Sequence, residues 1–123
     1  MKIIKTKLFA KWAIKNAIDD RLLINAAIEI AIDVYEANYG GGVIKKRVAT
    51  KGRGKSGSAR TIVAFKKGNH CFYVYGFEKN TKSTISANEE KAIKIVAKAL
   101  LAYSDAELNK LIHEGSLIEV KNE

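Results

Sequence analysis

Apolar residues recur at every third or fourth position in the first and last thirds of the chain, the spacing that places them on one face of an α-helix. Four helices are predicted, at 7–17, 20–37, 87–103 and 105–114. Capping residues precede all four: Thr6, Asp19 with Asp20, and the capping boxes Ser86 with Glu89 and Ser104 with Glu107. The second helix is apolar on more than one face, so we expect it to be buried on two sides or to contact a partner.

Between these helical regions the apolar residues alternate with polar ones, which is typical of β-strands. Three strands are predicted at 43–49, 60–67 and 70–79, and short strands at 2–5 (an edge strand) and 117–120. A tight turn at Gly68-Asn69 joins two of them as a hairpin. The order of helices, antiparallel strands and helices again predicts an α+β fold in a single domain over residues 1–123.

Positive charge is concentrated in the middle of the chain. The net charge is +9, and the segment 43–82 holds eleven Lys or Arg residues with one acid, Glu78. The rest of the chain carries eleven basic and twelve acidic residues, so the whole excess lies in this segment. A localised basic zone is typical of proteins that bind a polyanion, and nucleic acid is the polyanion we favour over a merely solvated basic face.

The N-terminal segment has no uninterrupted apolar run, and no stretch is long enough to span a bilayer. The single cysteine, Cys71, excludes an internal disulfide. Both observations predict a cytoplasmic protein without a membrane partner.

Three glycines in the basic zone, Gly52, Gly54 and Gly57, have the spacing G-x-G-x-x-G. A dinucleotide site requires a helix directly after such a loop, whereas the following residues predict a strand, so we exclude that site. The loop carries three basic residues, Lys51, Arg53 and Lys55. We predict that they contact a phosphate backbone; the alternative is a solvated loop whose charges prevent aggregation.

Few residues suit familiar catalytic sets. His70 and His113 are far apart in the sequence, and one cysteine gives no metal-ligand cluster, so we expect no metal and no cofactor. Tyr73 and Tyr75 are predicted on one face of their strand, together with Cys71 and Phe77, as core residues or as platforms for stacking bases. Lys and Arg remain, and they suffice if the substrate is RNA, because its 2′-hydroxyl is the nucleophile and cations stabilise the charged transition state.

Two stretches, "GGGVIKKRVATKGRGKSGSARTIVAF" and "YGFEKN", resemble the toxins of the RelE/HigB superfamily. The resemblance implies a toxin of a type II toxin–antitoxin system. Such toxins are endoribonucleases (mRNA interferases) that usually cleave mRNA on the ribosome, and a cognate antitoxin, often DNA-binding, neutralises them. It also implies a small antiparallel β-sheet with the N-terminal helix pair and the C-terminal helices packed on one face, and a basic cleft on the other face.

Position by position, the resemblance implies four catalytic residues: Arg60 as the stabiliser of the scissile phosphate, with Lys45, Arg47 and Lys79. The further basic residues are predicted to bind RNA: Lys46, Lys51, Arg53, Lys55 and Lys82. Two positions depart from the family pattern, because Ala59 replaces a common aromatic residue and Thr81 replaces a common glutamate. The family's C-terminal Tyr or His has only Tyr103 and His113 as candidates, and neither lies in a matching motif.

Two other functions compete with the ribonuclease. A non-catalytic RNA- or ribosome-binding module on the same fold is possible if the departures at Ala59 and Thr81 disable the chemistry. A DNA-binding protein is the weaker alternative, because the basic residues lie on strands and a loop and no helix resembles a recognition helix.

Overall fold

The structure is a computed structural model that describes residues 1–49, 58–78 and 82–121. Within these ranges the helices are α1 (Lys7–Lys15), α2 (Asp20–Ala31), α3 (Ala87–Ala102) and α4 (Asp105–His113). The strands are β1 (Ile3–Thr6), β2 (Ala37–Gly40), β3 (Val43–Ala49), β4 (Ser58–Phe65), β5 (Cys71–Glu78) and β6 (Leu117–Glu119). The predicted α+β class is confirmed, and no helix in the described ranges has the length and hydropathy to cross a bilayer.

The predicted capping residues are in place at all four helices. Thr6 accepts a hydrogen bond from the Phe9 amide at 3.1 Å, and Asp19 caps α2. Complete capping boxes begin α3 and α4, where Ser86 and Ser104 exchange hydrogen bonds with the glutamates three residues later. Each cap satisfies backbone amides that the first helical turn leaves without a partner.

The six strands form one mixed sheet in the order β2-β3-β4-β5-β1-β6. β2 to β5 are antiparallel neighbours, but β1 pairs with β5 in parallel, so the purely antiparallel sheet of the prediction is corrected. The predicted edge position of the first strand is also wrong. β6 returns antiparallel along the outer side of β1, so β1 lies inside the sheet and β6 covers it.

The second helix is shorter than predicted, and a strand follows it. α2 ends at Ala31, and Asp33 adopts a left-handed backbone conformation with φ of 65°. Aspartate tolerates this conformation better than most residues, and it directs the chain away from the helix axis. Residues Ala37–Gly40 then pair with β3 as β2, whereas the prediction had the helix continue to residue 37 and no strand after it.

The helix pairs cover opposite faces of the sheet, rather than one face as the resemblance implied. Neighbouring residues on β3 point to opposite sides: Ile44 packs in a core with α1 and α2, and Val43 packs in a core with α3 and α4. Val63 and Ala64 on β4 divide in the same way. Because apolar side chains line both sides of the central strands, both faces must be covered. We call the two sides the α1–α2 face and the α3–α4 face.

A β-bulge at Val74 divides the aromatic residues of β5 between these faces. Val63 on β4 pairs with Tyr73, whereas the preceding residue, Ile62, pairs with Tyr75, so Val74 has no partner of its own on β4. The extra residue changes the alternation, so Tyr73 is buried on the α1–α2 face and donates a hydrogen bond to the Leu23 carbonyl at 2.7 Å. Tyr75 packs with the α3–α4 core. The prediction of one shared face is therefore wrong, because it assumed regular alternation.

Candidate nucleic-acid interface

Three of the predicted basic residues lie together on the α3–α4 face. Arg47 on β3 pairs directly with Arg60 on β4, and Lys45 lies two residues before Arg47 on the same side of its strand. Directly opposed side chains have Cβ atoms about 4.5–5.5 Å apart. Arg47 is exposed, and Lys45 and Arg60 are half-buried. The pairing brings two arginines to neighbouring positions on one face, where both can donate hydrogen bonds to one phosphate group.

Two aromatic residues on β5 lie in line with these cations across the sheet. One row of paired residues runs from Arg47 through Arg60 to Phe77. The neighbouring row runs from Lys45 through Ile62 to Tyr75. The rings of Tyr75 and Phe77 lie 6.2 Å apart between centroids. The rows therefore run from cations on β3 to aromatic rings on β5.

The Lys82 ammonium group lies over these two rings, 5.0 Å from the Tyr75 centroid and 5.3 Å from that of Phe77. It contacts both Glu89 carboxylate oxygens, at 2.7 and 2.8 Å, and the Tyr75 hydroxyl at 3.1 Å. The Tyr75 hydroxyl in turn donates to Glu89 at 2.9 Å. Because the ammonium group lies over the rings, Lys82 occupies the place where a base would stack.

The charges of this cluster stabilise each other. Lys82 and then the Ser86 backbone amide lower the pKa of Glu89 from 4.5 to about 2. The hydrogen bonds that Lys82 donates to Glu89 and then to Tyr75 raise the pKa of Lys82. Lys82 and Glu89 are therefore both ionised at neutral pH. The charge of Lys82 is balanced by Glu89, and its role in RNA binding stays a prediction.

The segment 82–86 forms a wall along this surface. Its first amide, at Lys82, bonds to the Glu78 carbonyl at 3.4 Å, and the Thr84 hydroxyl lies 3.0 Å from the Tyr39 hydroxyl on β2. Ile85 is buried in the α3–α4 core. Since β3 and β4 lie between β5 and β2, the segment passes across the sheet from β5 to β2 on this face.

Lys46 does not belong to this surface, which corrects its predicted role in RNA binding. It points to the α1–α2 face, is only 3% exposed, and pairs with Glu29 on α2 at 2.8 Å. Its backbone carbonyl accepts a hydrogen bond from the Thr61 hydroxyl at 2.9 Å. A buried, paired ammonium group on the far side of the sheet cannot contact a phosphate held by Arg60.

The remaining candidates for chemistry lie away from the basic surface. Tyr103 caps the C-terminal end of α3, about 21 Å along the helix from Glu89 at a rise of about 1.5 Å per residue. His70 precedes β5 at the opposite end of the sheet, where it contacts Lys2 and Asp105. Burial raises the pKa of the Cys71 thiol to about 12, so it is a core residue and not a nucleophile.

Several predicted residues lie outside the described part of the chain. These are Lys51, Arg53, Lys55, Lys79 and Thr81. Their roles stay predictions. Ala59, the other departure from the family pattern, is buried on the α1–α2 face, so it does not adjoin the guanidinium of Arg60. In the described ranges no group of three or more His, Cys, Asp or Glu side chains is arranged to hold a metal ion.

The family model described as RelE toxin of the RelE / RelB toxin–antitoxin system matches residues 1–120. The chain belongs to the RelE toxin family. This confirms the resemblance found in the sequence, and membership implies that this RelE toxin has an antitoxin partner. No curated protein matches the chain. One residue of the RelE toxin's basic surface, Glu89, was missed as a site residue, because it was interpreted only as part of a capping box. Tyr75 was predicted as a core residue or a platform for stacking bases.

Proposed function

We propose that this RelE toxin is a metal-independent endoribonuclease that cleaves mRNA on the ribosome, in the cytoplasm. The observation that supports the proposal is the direct pairing of Arg47 with Arg60, with Lys45 two residues away on the same side. Three cations on one face match the several oxygens of a phosphodiester, and arginine binds such oxygens in pairs.

In the proposed reaction the substrate's own 2′-hydroxyl oxygen attacks the adjacent phosphorus, and the bond from phosphorus to the 5′-oxygen breaks. The proton of the 2′-hydroxyl is lost and the 5′-oxygen gains one, so the products are a 2′,3′-cyclic phosphate and a 5′-hydroxyl. Arg60 and Arg47 stabilise the additional negative charge on the phosphate oxygens in the transition state. Lys45 orients the same phosphate.

The test uses purified toxin, translating ribosomes and a labelled mRNA. We expect fragments ending in a 2′,3′-cyclic phosphate, and no cleavage when the sugar at the cut site is a 2′-deoxyribose. The rate should not depend on magnesium beyond the amount that the ribosomes need. Cleavage of the deoxy substrate, or a rate that follows added magnesium while the ribosomes stay intact, contradicts the mechanism.

A non-catalytic ribosome-binding protein is the second candidate. It is favoured by the positions of the candidate side chains. Tyr103 caps the end of α3, His70 precedes β5 at the opposite end of the sheet, and His113 ends α4, which packs on the edge strand β6 that β5 and β1 separate from β4. All three positions are away from Arg60. Expression in growing bacteria separates the two functions. Rapid growth arrest with cleaved mRNA supports the nuclease, whereas binding to ribosomes without cleavage supports the binding protein.

A further inference from the structure

A cavity of about 580 Å³ opens at the end of the sheet away from Arg60. It is lined by Gly41, Gly42, Lys66, Lys94, Lys98 and Leu101. These residues come from the turn between β2 and β3, the end of β4 and the C-terminal half of α3. Five residues of β4 separate Arg60 from Phe65, or about 17 Å at about 3.4 Å per residue. The cavity is therefore separate from the basic surface.

Two glycines and a leucine shape the apolar part of the cavity. Gly41 and Gly42 both have positive φ, 64° and 82°, which side chains disfavour. A Cβ at Gly42 would lie 2.6 Å from the Leu101 side chain, so Leu101 packs directly on the glycine backbone. The Gly42 carbonyl is also fixed, because it accepts a hydrogen bond from the Phe65 amide at 2.8 Å. The result is a fixed, apolar floor.

Three lysines surround this floor. Lys94 pairs with Glu90 at 3.0 Å. Lys66 and Lys98 are exposed, and neither has an ion-pair partner among the residues that the structure describes. Ammonium groups gathered around one cavity repel each other, and an anion in the cavity would remove that cost.

We propose that this cavity binds one nucleotide of RNA, with the base on the apolar floor and the phosphate between Lys66 and Lys98. A cavity volume of about 300–1,000 Å³ is typical of sites for small organic ligands, and a nucleotide combines the flat apolar group and the anion that this lining requires. The inference rests on the proposed function for its choice of RNA. The nucleotide could come from the mRNA or from ribosomal RNA, which share this chemistry.

The first experiment titrates the intact toxin with adenosine 5′-monophosphate and follows the backbone amides by NMR. The Gly41 and Gly42 amide signals should shift. In a Lys66→Ala/Lys98→Ala variant the affinity should fall by about tenfold or more, the loss expected for a charge-assisted hydrogen bond. A Lys11→Ala/Lys15→Ala variant loses the same charge from α1 and should bind as the wild type does.

Three results of this titration overturn the proposal. The first is the absence of shifts at Gly41 and Gly42. The second is equal binding of inorganic phosphate, which would mean an anion site without a base. Stronger displacement by an acidic peptide than by the nucleotide also contradicts it, because the cavity would then suit a protein. These readouts do not use cleavage, so failure of the nuclease proposal leaves them unaffected.

A second measurement identifies the source of the nucleotide. Binding of the double variant to a single-stranded RNA and to vacant ribosomes is compared with that of the wild type. Weaker binding to the oligonucleotide assigns the cavity to mRNA, and weaker binding to ribosomes assigns it to ribosomal RNA. In either case the logarithmic salt slope should fall by about one unit, because the two lysines together neutralise a single phosphate. Unchanged binding to both contradicts the inference.

Discussion

Replacing Lys46 with methionine should preserve both the fold and RNA binding of this toxin, although Lys46 lies in its most basic segment. The Lys46 side chain is buried on the α1–α2 face, where it pairs with Glu29, whose own side chain is 55% exposed. Methionine retains most of the buried stem, and water solvates the glutamate that remains. Exchanging a buried ion pair for apolar contacts is often neutral, so we expect a change within about 1 kcal/mol.

Alanine at the same position should be far more costly. It removes about three buried methylene groups at about 0.8 kcal/mol each and leaves a cavity, for a total of about 2–4 kcal/mol. For a chain of this size that corresponds to a fall in Tm of about 4 °C per kcal/mol. Thermal and urea unfolding of the two variants measure the difference.

The matched control is Lys45→Met, one residue away on the opposite face. Lys45 lies beside Arg47 on the basic surface, so its loss should weaken binding to RNA and ribosomes with little effect on stability. If a folded Lys46→Met variant lost as much RNA affinity as Lys45→Met, the assignment of these two lysines to opposite faces would be refuted.

Three other perturbations test separate parts of the structure. The pKa of Glu89 is about 2 in the folded protein and 4.5 ordinarily, so its pair with Lys82 stabilises the fold above about pH 4.5 and this stabilisation is lost towards pH 2. Glu89→Gln should therefore flatten the pH dependence of the unfolding free energy in that range, whereas Glu114→Gln, at an exposed position, should not. Gly76→Ala would place a Cβ 2.3 Å from the Trp12 ring and should destabilise the fold by about 1–3 kcal/mol in urea unfolding. If the losses of unfolding free energy from Gly76→Ala and Trp12→Ala simply added in the double variant, that contact would be contradicted. Ile28 is 57% exposed on the outer side of α2, so Ile28→Asp should keep toxicity but lose neutralisation by the antitoxin in co-expression. Ile30 is buried, so Ile30→Asp should unfold the protein. An Ile28→Asp variant that the antitoxin still neutralises would exclude α2 as the antitoxin interface.

Features that depend on neighbouring residues could be predicted from the sequence. The capping boxes at Ser86 and Ser104 fix where α3 and α4 begin, because both partners lie within one helical turn. Regular alternation along β3 is also sufficient to put Lys45 and Arg47 on one face. The same alternation puts Lys46 on the other face, but net charge was given more weight than the period of the strand.

Features that depend on distant contacts could not be predicted. β2 follows a segment with helical spacing, and it is a strand because it pairs with β3. The bulge at Val74 moves Tyr75 to the side of Glu89, and alternation alone gives no sign of it. The contact between Lys82 and Glu89 likewise depends on the path of the segment 82–86 across the sheet.

The central claim is that Arg60 stabilises the transition state of RNA cleavage. Single-turnover cleavage of mRNA on the ribosome by Arg60→Ala tests it most directly, with Arg21→Ala on the exposed side of α2 as the control that loses the same charge. An arginine preorganised for the charged phosphate contributes about 10²–10³ in rate, by analogy with other oxyanion donors. We predict that Arg60→Ala remains folded, keeps most of its ribosome affinity and loses cleavage by about that factor, whereas Arg21→Ala cleaves normally. Undiminished cleavage by a folded Arg60→Ala variant, or an equal loss in both variants, would contradict the account.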